Sequence, residues 1–145
     1  MKNELLRHVV ATIRYRFEKS VADSNENFGA FTLGKGSRNP IAVINHMYQV
    51  LHSTRVFLEE ERFIAESPEK LLLPEEIERF HRELINTDAA FDMAELPLNY
   101  SKKLLQGPLS DLLTHIGQIS MMQRLDGNPV DGEDFSAASI KTGIN

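Results

Sequence analysis

Apolar residues recur every three or four positions in four separate stretches of the chain, which is the spacing of one helix face. The first stretch covers residues 3 to 21, and its apolar residues are Leu5, Leu6, Val9, Val10, Ile13, Phe17 and Val21. The second begins at Asn39-Pro40, where an N-capping residue precedes a proline suited to the first helical position. Its apolar stripe consists of Ile41, Ile44, Met47, Leu51, Thr54 and Leu58.

The third and fourth stretches are bounded by proline and glycine. The third begins at Pro74-Glu75-Glu76, with acids in the first turn where the helix dipole favours them. Its inner stripe is Ile77, Phe80, Leu84 and Phe91. The fourth reads as one amphipathic helix, starting at Gly107-Pro108 and stopping at Asp126-Gly127, after a short helical turn at residues 101 to 105.

The four predicted helices favour an all-α four-helix bundle formed by a single domain over residues 1 to 145. No run of strand length alternates between apolar and polar residues. Residues 22 to 38 and 63 to 73 form connections longer than an up-down hairpin needs, so we expect at least one to cross the bundle. In the first connection, Phe28, Phe31 and Leu33 predict a segment that packs down onto the helices.

Composition narrows the function classes. The formal net charge of −5 leaves no basic stripe to neutralise phosphates, so nucleic acid is not an expected partner. The N-terminal residues have no long apolar core and no stretch approaches membrane-spanning length, so we expect a cytoplasmic protein without a membrane partner. The chain has no Cys, and any metal must therefore be held by His and carboxylate.

Three residues are candidates for a metal site. Asp111 and His115 lie four positions apart on the fourth helix, a spacing that lets both side chains reach one ion. His46 lies beside the apolar stripe of the second helix and could supply a third ligand. The alternative is ordinary structure, in which Asp111 complements the helix dipole and the histidines are half-buried polar residues. His8, His52 and His81 are predicted to be surface residues.

Residues 38 to 47 and 107 to 135 support a specific resemblance. Asp111, His115, Gly117 and Gln118, followed by "RLDGNP" at 124 to 129, resemble the last helix of the DinB-like superfamily, which includes YfiT-like metal-dependent hydrolases and thiol-dependent S-transferases. The stretch "SRNPIAVINHM" at 37 to 47 is similar to the start of the family's second helix, and "GEDFSAASI" resembles an ordered C-terminal tail. Many members have His where this chain has Asp111.

The resemblance implies a four-helix bundle that holds a divalent metal, nickel or zinc, at His46, Asp111 and His115. It also implies a homodimer and an enzyme acting on a small-molecule substrate by hydrolysis or thiol-dependent transfer. Gln118 is then expected to orient the reactant or to hydrogen-bond a ligating side chain. A thiol nucleophile would be an external low-molecular-weight cofactor. The competing hypothesis is a non-catalytic dimeric helical module without a functional metal site.

Overall fold

The chain folds into helices joined by irregular segments. The computed structural model describes residues 1 to 64 and 66 to 143, and these contain no strand. The helices are α1 (Glu4–Val21), α2 (Pro40–Glu60), α3 (Leu73–Met93), α4 (Leu98–Leu104) and α5 (Ser110–Leu125). Four of them are 16 to 21 residues long, which confirms the all-α prediction.

The four long helices pack in a ring. Helix α1 contacts α3 and α5, and α2 contacts the same two helices rather than α1. The chain therefore passes from α1 to the diagonally opposite α2, and residues 22 to 39 carry it across the end of the bundle. This matches the expectation drawn from the length of that connection. The crossing brings α2 against α5, the two helices that carry the candidate metal ligands.

Aromatic and aliphatic side chains from every long helix fill the centre. The rings of Phe17 and Phe80 pack with their centroids 4.6 Å apart, and Phe28 from the crossing connection is fully buried. Burying each such side chain contributes about 1.5–3 kcal/mol. Two predicted core residues lie outside, since Leu5 is 71% exposed and Leu33 is 51% exposed.

Helix α3 buries charge as well as apolar surface. Three of its carboxylates are almost inaccessible, and each is paired with an arginine. The pairs are Glu76 with Arg79, Glu83 with Arg55, and Asp88 with Arg7. The last two pairs link α3 to α2 and to α1, so buried ion pairs stabilise two of the helix–helix interfaces of the bundle.

The last long helix does not begin at Gly107-Pro108, and that prediction is wrong. Residues Leu105–Leu109 form a π-helical turn that joins α4 to α5 without a break. In an ordinary α-helix the Pro108 ring would press on the carbonyl four residues earlier. The wider turn avoids this clash, and the Ser110 N–H and hydroxyl both donate to the Leu105 carbonyl, five residues back.

The end of the last long helix and the C-terminal segment agree better with the predictions from the sequence. Helix α5 ends at Leu125, and Gly127 follows in the left-handed region with φ of 84°. The C-terminal segment then returns along α1, where the Phe135 ring lies 3.8 Å from the Arg16 guanidinium. No helix in the described part of the chain combines the length and apolarity needed to cross a bilayer.

Candidate metal centre

Two of the three predicted ligands meet in the structure. The imidazoles of His46 on α2 and His115 on α5 lie with their ring centroids 5.0 Å apart and their planes perpendicular. They are brought together only because the crossing connection places α2 beside α5. Both side chains are half-buried, so neither His46 nor His115 is a fully solvated surface residue.

Asp111 lies close to this pair but outside it. It is exposed, one turn before His115 on α5, and it lines the same groove as His46. Its charge acts on the His46 imidazole and raises that group's pKa, against stronger opposing influences. Across residues 1 to 64 and 66 to 143, no three His, Cys, Asp or Glu side chains are arranged to hold a metal ion together. Two imidazoles and a carboxylate are suitable ligands for a transition metal. Only the two imidazoles lie together, however, and the Asp111 carboxylate does not complete a group of three.

Gln118 contacts one of the histidines directly. Its Oε1 lies 2.9 Å from His115 Nδ1, one turn further along α5. When Nδ1–H donates to this oxygen, the free lone pair of the ring is on Nε2. Metal-binding histidines generally have their other ring nitrogen held in this way. Of the two roles expected for Gln118, the contact matches the bond to a ligating side chain.

The surroundings of His46 favour its neutral form. Burial lowers the pKa of this imidazole below its ordinary value, and the positive charge of Arg38 lowers it further. The neighbouring His115 acts in the same direction, and Asp111 only partly opposes them. A neutral imidazole is the form that binds a metal or accepts a proton. Arg38 is exposed and comes from the end of the crossing connection.

A groove of about 740 Å³ opens beside His46 and Asp111. That volume lies in the range of small-molecule sites. Aromatic rings form part of its wall: the Phe57 ring is 5.4 Å from Phe63 and 6.3 Å from Tyr100, measured between centroids. These residues come from α2, α4 and the connection after α2, so no local sequence pattern identified them.

A second groove of about 750 Å³ lies further along α5, towards its C-terminal end. Arg38, Gln118 and Met121 line it, together with the glycine-containing connection before α2. Neither imidazole of the pair lines this groove, so the first groove is the better candidate for a substrate site.

The remaining histidines lie away from this centre. His52 stacks on Tyr48 with ring centroids 5.4 Å apart, and His8 Nδ1 is 2.8 Å from the Thr142 hydroxyl. The prediction that His81 is a solvated surface residue is wrong, because its ring packs edge-on against the buried Phe17 at 5.5 Å. These three histidines have structural neighbours and no link to the candidate centre.

Comparison with protein-family models, with curated proteins and with solved structures finds no match for this chain. The resemblance to the DinB-like superfamily therefore stays a prediction.

Proposed function

We propose that this protein is a divalent-metal-dependent enzyme that acts on a small molecule, by hydrolysis or by transfer to an external thiol. The observation that carries the proposal is the perpendicular approach of His46 and His115, at 5.0 Å between ring centroids, from two helices distant in sequence. The resemblance to DinB-like enzymes supports the same assignment and favours nickel or zinc.

Each residue has a distinct role in this proposal. His46 and His115 bind the ion through neutral imidazoles, and Asp111 joins them when its exposed side chain turns towards the pair. Gln118 is a positioning residue that holds His115 in the tautomer with Nε2 free. A bound divalent ion would lower the pKa of a water or thiol and so supply a nucleophile near neutral pH. Because the chain has no Cys, the thiol would come from a small cofactor.

Metal binding by untagged protein tests the proposal. After chelator treatment and dialysis, the protein is titrated with Zn²⁺ and with Ni²⁺ while bound metal and melting temperature are measured. We expect about one ion per chain and, at a hundredfold excess over Kd, a stabilisation of about 2.7 kcal/mol. His46→Ala and His115→Ala should abolish both effects.

His52→Ala is the matched control, since His52 lies on the same helix as His46 but stacks on Tyr48 instead. It should bind metal as the unmodified protein does. Asp111→Asn should weaken binding at least tenfold if the carboxylate joins the site. Protein that stays metal-free and melts at an unchanged temperature with either ion would contradict the proposal.

A second candidate function is a non-catalytic dimeric helical module. It is favoured by the lack of any three-donor arrangement in the described residues. Met121 and Leu125 on α5 are 58% and 53% exposed and offer apolar surface for a second copy. Light scattering would then detect a dimer whose mass is unaffected by chelator, with no metal bound. A dimer that also binds metal through His46 and His115 would support the enzyme instead.

A further inference from the structure

We propose that the groove beside His46 binds a small organic anion with an apolar, preferably aromatic, body. This names a substrate class, and as a statement about the substrate it rests on the proposed function. Binding itself does not need a metal. The inference comes from the uneven distribution of apolar and charged groups along the groove.

One wall of the groove is apolar. Phe57, Phe63 and Tyr100 form a continuous aromatic surface, extended by Leu104 and Pro108. Phe63 is 84% exposed and Tyr100 is 43% exposed, although both rings lie beside the Phe57 ring. Apolar surface of this kind, held open at the rim of a cavity, is typical of a ligand site. An apolar ligand body lying on these rings would remove them from water.

Among the described residues that line the groove, one is a lysine or arginine. Lys103 on α4 is exposed and lines the groove, and no ion pair is formed by it among the described residues. The nearby Arg55 and Arg62, by contrast, both have carboxylate partners. A lysine without a partner beside an apolar surface suits a ligand that has both a carboxylate, or similar anion, and an apolar body.

The helix geometry sets the length of the ligand. Lys103, Gly107 and Asp111 line the groove at successive intervals of four residues. At the α-helical rise of 1.5 Å per residue, Lys103 and Asp111 are separated by at most about 12 Å along the helix, because the wider π turn lies between them. A side chain at Gly107 would project into open space, so this glycine leaves the path between them clear. The anion is therefore placed at Lys103, away from the Asp111 charge. The reacting end then lies about 10 Å along the helix, beside His46 and Asp111.

Calorimetric titration of the chelator-treated full chain with three probes of similar size tests this inference. The probes are phenylbutyrate, its uncharged amide and the corresponding amine, which share one apolar body and differ in charge. We expect phenylbutyrate to bind most tightly and the amine least tightly. Equal affinities, tighter binding of the amine, or no binding of phenylbutyrate at its solubility limit would each overturn the inference.

Two pairs of variants locate the binding. Lys103→Gln should weaken the binding of phenylbutyrate about threefold to fivefold and leave the affinity for the amide unchanged. Lys102→Gln makes the same charge change outside the groove and should alter neither affinity. Phe63→Ala should weaken the binding of both phenylbutyrate and its amide about threefold to tenfold. Leu72→Ala is its control, because Leu72 is 70% exposed and does not line the groove. Equal effects of Lys103→Gln and Lys102→Gln would refute the placement of the anion.

The two proposals fail separately. If the metal titration is negative but phenylbutyrate binds with the expected dependence on Lys103, the enzyme proposal is lost and the anion site stands. If metal binds through His46 and His115 but the three probes bind alike, the anion site is lost and the metal centre stands.

Discussion

Arg55 offers a direct comparison of a buried and an exposed ion pair within one side chain. Its Nε lies 2.6 Å from Glu83 Oε1, and its Nη1 lies 3.1 Å from Glu59 Oε2. The Glu83 side chain is 4% exposed and that of Glu59 is 44% exposed. The pKa of the Arg55 guanidinium is raised, chiefly by its hydrogen bond to Glu83. We predict that Glu83→Gln destabilises the protein far more than Glu59→Gln.

The expected magnitudes follow from the contacts. Glu83 accepts two charge-assisted hydrogen bonds from Arg55, at 2.6 and 3.3 Å, and glutamine can replace at most one of them with a neutral bond. Its amide nitrogen would then face a guanidinium in a buried site. We expect a loss of about 2–3 kcal/mol, because Arg55 keeps Glu59 as a partner. Removal of the exposed Glu59 charge should cost about 0.3–0.5 kcal/mol.

Urea unfolding followed by far-ultraviolet circular dichroism measures the difference. Glutamate and glutamine have nearly equal helix propensities, so neither substitution perturbs its helix directly. The slope of free energy against urea should be unchanged, and the Glu83→Gln melting temperature should fall by about 4–10 °C. If the two variants lose the same stability to within about 0.5 kcal/mol, burial does not control the strength of these ion pairs. Our account of the buried ion pairs between α3 and its neighbouring helices would then be wrong.

Three further predictions concern a half-buried histidine, a close packing contact and a helix cap. Burial lowers the pKa of His81, so the unfolded chain takes up a proton at this residue first as the pH falls below about 6.5. The free energy of unfolding, measured by urea titration, should therefore fall from pH 7 to pH 5. It should fall less steeply in His81→Leu. Gly29→Ala should cost about 1–3 kcal/mol in the same assay, because its methyl group would lie 2.9 Å from Ile41 Cγ1 and 3.1 Å from Leu73 Cβ. Gly117→Ala, which meets open space in a helix, should instead stabilise by up to about 1 kcal/mol. Asn39→Ala should cost about 1 kcal/mol by removing the cap of α2, and an Asn39→Asp control should retain it. Parallel pH profiles, equal effects at the two glycines, or an unchanged stability of Asn39→Ala would contradict the respective prediction.

Helix boundaries that depend on interactions between residues close in sequence could be predicted. Asn39 caps α2 by accepting a hydrogen bond from the Ala42 N–H at 2.8 Å, and Gly127 ends the last helix, as the sequence indicates. In both cases the deciding interaction lies within four residues of the boundary. The buried apolar stripes were found for the same reason, since helical period alone decides which face turns inward.

Features that depend on a partner distant in sequence could not be predicted. Nothing in the sequence near Glu83 and Asp88 marks them as buried; they can be buried because Arg55 and Arg7 from other helices neutralise them. The convergence of His46 and His115 depends on a diagonal crossing whose direction no periodicity encodes. Spacing on one helix places Asp111 one turn before His115, but it does not decide whether the Asp111 carboxylate reaches the imidazoles.

The departures from ideal helix design concentrate near the histidine pair. The last helical run contains a π turn, a proline within that turn at Pro108, and glycines at Gly107 and Gly117, both of which face open space. An interior glycine costs a helix about 1 kcal/mol, and neither one here makes a close contact that would explain its presence. Helices α2 and α3 have no glycine, and their prolines lie only in the first turn. Local rules tend to be broken where function requires a particular shape. The irregular run lines both grooves and carries Asp111, His115 and Gln118, so its cost is better explained by access to the candidate site than by packing.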